Sequence, residues 1–281
     1  MANYTAADIK TLREKSGAGM LDVKKALDEA DGDAEKALEI IRVKGLKGVA
    51  KREGRSASEG LVAVKVTDAH DVAGQVGTMV ELNAETDFVA KNATFVGLAE
   101  RVLDAAVASA ARDADALLAA DAGGETVAEI VDGAAATLGE KLVLRRVARL
   151  DGEHVGVYLH RTSKDLPPQV GVMVATDAAA ASVAEEIAMH VAAYSPAYLT
   201  REDVPEQLVA DERRIAEETA RNEGKPEQAL TKIVEGRLNG FFKDQVLVDQ
   251  AFARDPKKTV GQVVAETGGT LTGFARFRVG A

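Results

Sequence analysis

Thr86-Asp87-Phe88-Val89 sets a hydroxyl, a carboxylate and a large aromatic side by side in a chain that is only 4% aromatic. An apolar, β-branched run, Val76 to Leu82, precedes it, and Phe95, Leu98, Ala99, Val102, Leu103 and Ala106 follow at helical spacing, with Asn92 placed to cap that helix. The four residues therefore stand where a strand hands over to a helix. Loops held by rigid elements on both sides commonly carry function. Spacing alone also fits a structural role, in which Asp87 caps the helix and Phe88 is pinned in the core.

Bond-making chemistry has little to build on elsewhere. The four histidines, at 70, 154, 160 and 190, are scattered, with no His-x-x-x-His or His-Glu-x-x-His spacing. The chain has no phosphate-cradling Gly-x-x-x-x-Gly-Lys-Ser/Thr loop, no Gly-x-Gly-x-x-Gly and no nucleophile elbow. Cysteine is absent, which removes disulfides, thiolate nucleophiles and Cys-ligated zinc together. The many carboxylates lie on helices of alternating charge, as solvated faces do. His190 falls on the apolar stripe of its helix and reads as a core histidine bonded to backbone. The expectation is a protein that binds another protein, with no cofactor, no metal and no enzymatic activity of its own. The other reading is a hydrolase or transferase with a carboxylate site.

The elements that must position Thr86 to Val89 follow from length and pattern. At 281 residues, two or three units are expected. A net charge of −10 argues against general nucleic-acid binding. No apolar run is long enough to span a membrane, and the N-terminus carries no basic-then-apolar secretory pattern, so a cytoplasmic protein is expected. Residues 1–45 read as three short helices. Thr5 and Asp8 start the first, the second carries Met20, Val23 and Leu27, and Asp33 caps a third that ends at Gly45. Arg42, Lys44, Lys47, Lys51, Arg52 and Arg55, interleaved with Gly45, Gly48 and Gly54, read as a basic, solvated linker over 46–58.

A core N-subdomain over 59–150 begins with a hairpin, Leu61–Thr67 and Val76–Leu82, broken around Asp68-Ala69-His70-Asp71. Its helix follows Asn92, and Leu142 to Leu150 supplies a further strand. An internal repeat then sets the fold. Gln75-Val76-Gly77-Thr78-Met79-Val80 recurs 94 residues on as Gln169-Val170-Gly171-Val172-Met173-Val174. The C-subdomain, 151–281, is thus a second copy, its helix starting at Ser182 with Glu185 completing a capping box. It lacks Thr-Asp-Phe-Val and has Ala178 to Ala181 nearby instead, so the aromatic is not demanded by the repeated fold. Within it, 203–248 reads as an inserted antiparallel helical hairpin, coiled-coil-like, lined by Val204, Leu208, Ile215 and Thr219 on one helix and Leu230, Ile233, Val234, Leu238 and Phe241 on the other. It offers a surface that could support a homodimer. A helix from Asp255 to Glu266 and a strand from Leu271 to Val279 complete an α+β chain of two related subdomains with antiparallel sheets.

Several of these segments resemble the elongation factor Ts family. Leu12-Arg13-Glu14-Lys15-Ser16-Gly17-Ala18-Gly19-Met20, with Lys24-Lys25-Ala26-Leu27, is similar to its N-terminal ubiquitin-associated-like domain. Asn83 to Asn92, Ile187-Ala188-Met189-His190-Val191-Ala192-Ala193, Thr259-Val260-Gly261-Gln262 and Leu271-Thr272-Gly273-Phe274 continue the likeness in colinear order over nearly the whole chain. The resemblance implies a guanine nucleotide exchange factor of translation elongation that binds elongation factor Tu in its GDP and nucleotide-free forms. It implies that Thr86, Asp87, Phe88 and Val89 disturb that partner's magnesium site, and that Leu12, Met20 and His190 add partner contacts. Family members often carry a further C-terminal helical module, which is expected to be absent or replaced here.

Overall fold

The computed structural model describes residues 3–16, 18–69 and 73–281. Gly17 of the Gly-Ala-Gly-Met corner, His70 and Asp71 of the strand break, and the Lys47 side chain lie outside the described residues. Three helices, α1 (Ala6–Ser16), α2 (Met20–Glu29) and α3 (Ala34–Arg52), form the N-terminal unit around Leu12, Val23, Leu27 and Ile41. Thr5 and Asp8 close the expected box at α1, the Thr5 N–H donating to the Asp8 carboxylate at 2.7 Å. Asp33 accepts the Glu35 and Lys36 amides at α3.

The third helix does not stop at Gly45. It runs to Arg52, so the first half of the expected linker is helical. Gly45 serves packing instead of termination. A Cβ there would stand 2.7 Å from Ala136 Cα, on a helix of the next subdomain. Only a glycine lets the two backbones approach so closely.

The N-subdomain sheet pairs β1 (Glu59–Asp68), β2 (Gln75–Ala84) and β3 (Leu142–Gly152) antiparallel, with β2 central. Helices α4 (Asp87–Ala90), α5 (Ala93–Ser109), α6 (Ala114–Leu118) and α7 (Val127–Leu138) cover one face, joining Val80, Leu82, Phe95, Val102, Leu117 and Val131 in one core. The second sheet repeats this with β4 (His154–His160), β5 (Val170–Thr176) and a late strand, β8 (Leu271–Arg278), while α8 (Ala184–Tyr194) covers its outer face.

The two sheets pack on each other through Val62, Met79, Val155, Met173 and Phe277. Here the repeat acquires a physical meaning. A Cβ on Gly77 would meet Met173 Sδ at 2.7 Å, and one on Gly171 would meet Met79 Sδ at 3.0 Å. Each copy leaves a gap that the other copy's methionine fills. Both central strands are thus covered on two faces, and β2 is buried from Val76 to Ala84. That is why its sequence is a continuous apolar run and not an alternation.

Three local expectations change. The Ser182 capping box does not form. Asp177 fixes an earlier turn, accepting the Ala180 N–H at 3.0 Å and the Thr270 hydroxyl at 2.8 Å, and a 3-10 turn over Ala181–Val183 leads into α8. Asp255–Thr259 is strand β7, paired with β6 (Ala251–Phe252), and α11 (Val260–Glu266) starts only at the Thr259–Gln262 capping box. In the hairpin of α9 (Glu206–Asn222) and α10 (Glu227–Gln245), Ile215 and Thr219 face solvent while Ala216 and Ala220 are buried, Ala216 in one cluster with Val234 and Leu238. The small residues let the helices close up, turning the seam one position from the bulkier stripe. Arg213–Glu235 and Arg221–Glu227 pairs cross the hairpin in antiparallel order.

Candidate partner-binding site

Beyond Ala84 the chain leaves the sheet through Glu85 and turns at Thr86, which is extended (φ −128°, ψ 156°) and caps α4 by accepting the Val89 N–H at 3.4 Å. Capping thus falls to Thr86 and not to Asp87. The single turn of α4 sends Val89 and Ala90 into the core. One residue earlier on that turn, Phe88 must point the other way, and it is 72% exposed. The reading that pinned Phe88 in the core is therefore overturned. Asp87 is paired with Lys91 at 3.3 Å, and the Lys91 ammonium sits 4.4 Å from the Phe88 ring centroid. Lys91 closes the turn, and Asn92 caps α5 by accepting the Thr94 N–H at 2.8 Å.

The underside of this turn is bonded to the start of β3. Thr86 donates its N–H to Glu140 Oε2 at 3.0 Å and its hydroxyl to Glu140 Oε1 at 2.6 Å. Glu85 accepts the Lys141 N–H at 2.7 Å and the Arg55 guanidinium at 3.2 Å. Neither glutamate was singled out from the sequence. Glu140 lies 54 residues from Thr86, and Glu85 lies 56 from Lys141 and 30 from Arg55, and no periodicity carries such pairings.

The same offset of 94 that relates the two strands puts the 3-10 turn Ala181–Val183 in the place of α4, with Ser182 where Phe88 stands. Ala90 and Ala184, also 94 apart, are both fully buried. Ser182 is exposed as Phe88 is. The fold repeats the turn and dispenses with the aromatic.

The other expected contacts separate. Met20 is 60% exposed at the start of α2, beside Leu21, which is exposed further still. A groove of about 630 Å³ runs between Ile9, Arg13 and Met20 of the helical unit and Asn92 at the end of the Thr86 turn. Met20 and Asn92, the residue that follows the turn, therefore border one groove. Leu21 went unremarked in the sequence, although its place off the Met20–Val23–Leu27 stripe marks it as an apolar residue facing outward. Leu12 is only 3% exposed and belongs to the core of the helical unit. His190 is fully buried. Its Nε2 lies 2.9 Å from Gln250 Oε1, its Nδ1 accepts the Ala253 N–H at 3.2 Å, and its ring stacks on Tyr194 with centroids 4.6 Å apart. Burial holds its pKa below the ordinary histidine value, partly offset by the Gln250 bond.

Among the described residues, no three histidine, aspartate or glutamate side chains converge to hold a metal ion. None of the described helices is long and apolar enough to cross a membrane.

Comparison with known proteins decides the family. The model described as Elongation factor TS matches residues 85–281. Elongation factor Ts of Micrococcus luteus is 66% identical over the full length of both chains. The chain belongs to the elongation factor Ts family. Elongation factor Ts of Kocuria rhizophila, at 64% identity, and of Kineococcus radiotolerans, at 61%, likewise align over all of both chains. The family match begins at Glu85, the first residue of the turn just described, and membership gives the chain a role in translation elongation.

Proposed function

We propose that the chain is a guanine nucleotide exchange factor that engages elongation factor Tu in its GDP form and stabilises its nucleotide-free form, in the cytoplasm and with no reaction of its own. One observation carries this reading. Phe88 projects into solvent from a turn fixed at both ends, while the repeated subdomain presents Ser182 at the equivalent place.

A GTPase holds GDP through backbone amides, a lysine and Mg²⁺ bridging phosphate oxygens. A protein that releases GDP must bind the empty form better than the loaded one. By linkage, it weakens GDP by the same factor by which GDP weakens it. An aromatic ring driven between packed helices suits that task, because packed elements move between discrete arrangements and do not deform smoothly. Phe88 is that wedge. Asp87 brings a carboxylate toward groups around the partner's cation once Lys91 yields, and Thr86 and Val89 hold the turn from below. Met20 with Leu21 supplies apolar contact from the helical unit. Leu12 supports the Met20 surface from within the helical core, and His190 holds the core of the C-subdomain, through which the second copy would grip another part of the partner.

The test uses elongation factor Tu loaded with a fluorescent GDP, chased with excess unlabelled GDP, with and without substoichiometric chain. Accelerated, multiple-turnover release is expected. Release no faster than the spontaneous rate at micromolar chain would refute the proposal.

A further inference from the structure

The ladder between β2 and β3 ends at the pair Ala84–Leu142. Past that rung the main chains diverge, because Thr86 turns away to start α4. Two carboxylates take over the bonding in a crossed arrangement. Glu140, just before β3, accepts both donors of Thr86, at 3.0 and 2.6 Å. Glu85, just after β2, accepts the Lys141 N–H at 2.7 Å. Each strand end is thus held by a side chain of the other.

We infer that Glu140 is the positioning residue that aims Phe88, acting through the Thr86 hydroxyl. The inference rests on the exchange function proposed above and assigns the element that keeps its wedge rigid. Thr86 Oγ1 is bonded on both sides, donating to Glu140 and accepting from the Val89 N–H. Its rotamer is therefore fixed by Glu140, and its rotamer makes the cap. A four-residue helix has too few internal bonds to hold itself, since the first turn is the costly one. Once Thr86 is free to rotate, the cap opens and the ring of Phe88 has no fixed direction.

Glu85 extends the latch to the helical unit. Arg55 reaches it at 3.2 Å, and Lys141 Nζ donates to the backbone carbonyls of Glu53 and, at 3.0 Å, Arg55. The segment that follows α3 is thereby tied to the same two strand ends as Phe88. Met20 and Phe88, carried by different units, are held in one frame.

The experiment is a double-mutant cycle with two readouts. The first is maximal exchange rate and half-saturating concentration on elongation factor Tu for wild type, Glu140→Ala, Thr86→Val and the double variant. Each single change is expected to lower the maximal rate about tenfold to a hundredfold, the scale set by misplacing a contact group by roughly 1 Å. Half-saturation should shift far less. The double variant should be no slower than the slower single, because both changes remove one device. Glu140→Gln, which keeps one acceptor oxygen for Thr86, should recover part of the rate. Independent, multiplying losses, or a Gln variant as slow as the Ala variant, would overturn the inference.

The second readout needs no partner. The chain has no tryptophan, so Phe88→Trp reports from that position alone. Adding Glu140→Ala should produce a fast, large-amplitude decay of its fluorescence anisotropy while the circular dichroism of the rest is kept. An unchanged decay would refute the latch even if exchange proceeds. A loosened turn in a chain that never releases GDP would refute the exchange function and leave the latch standing.

Discussion

Replacing Phe88 by alanine should abolish most exchange while scarcely affecting the fold, and the structure sets both magnitudes. A phenylalanine side chain carries about 200 Å² of surface. With 72% of the residue exposed, roughly 55 Å² is covered within the chain, worth at most about 1.4 kcal/mol at ~25 cal/mol per Å². Alanine keeps the Cβ contacts, so the loss in stability should stay near 1 kcal/mol, a fall in melting temperature of about 2–4 °C. The exposed remainder, roughly 145 Å², is what a partner can cover. At the same coefficient that is about 3.6 kcal/mol, or two to three powers of ten in the exchange-competent complex. Release of fluorescent GDP at subsaturating chain, beside a thermal melt of the same preparation, measures both. Phe95→Ala supplies the contrast. Its ring is fully buried in the α5 core, so it should cost about 3–5 kcal/mol of stability. Wild-type exchange from Phe88→Ala would show that the ring is no wedge. A melt lowered as far as that of Phe95→Ala would show that it is packed after all.

Three further outcomes follow from named contacts. The buried His190 accepts the Ala253 N–H at Nδ1, so a proton there would face another donor, and burial depresses its pKa. A depressed folded value means stability present above the unfolded pKa of about 6.5 and lost as pH falls through the folded one; melts between about pH 7.5 and 5.5 should fall more steeply for wild type than for His190→Gln, and equal slopes would contradict this. Gly45→Ala would drive a methyl into the Ala136 backbone, at a cost of about 1–3 kcal/mol, which should appear as faster proteolysis within 53–58 while the core transition stays unchanged. In Gly171→Ala the new Cβ stands 2.5 Å from Val62 Cγ1, so a loss of similar size is expected, and adding Val62→Ala should recover part of it in denaturant melts if the inter-sheet contact is responsible.

The repeated Gln-Val-Gly-x-Met-Val was the most legible feature, because it states directly that one strand environment occurs twice. It carried the two sheets, their central strands and the covering helices. What stayed hidden was phase and distance. Phe88 precedes two core residues, Val89 and Ala90, and a helical turn so short gives no periodicity to tell the outward residue from the inward ones. Gly45 has the composition of a helix end, yet its lack of a side chain is used against a helix some ninety residues later. Glu140 leaves no trace at all, since an acidic residue before a strand looks like any solvated one until the fold brings Thr86 to it. Leu12 shows a different limit: a residue that the resemblance assigns to the partner lies, in the free chain, in the core behind the surface beside it.

The reciprocal glycines also set where the two copies of the turn lie. Gly77 faces Met173 while Met79 faces Gly171, so as one strand number rises its neighbour across the interface falls. The two central strands therefore run in opposite directions through the sandwich. Each leads into a helix-starting turn, and those turns emerge at opposite ends. A partner seated on Phe88, as proposed above, would then meet a different surface from the one that holds Ser182. The second turn has Ser182 in place of the aromatic, and its subdomain holds the inserted pair α9–α10 between α8 and β8. The two equivalent turns are separated by this stacking, and on the function proposed above only the one that carries Phe88 meets the partner.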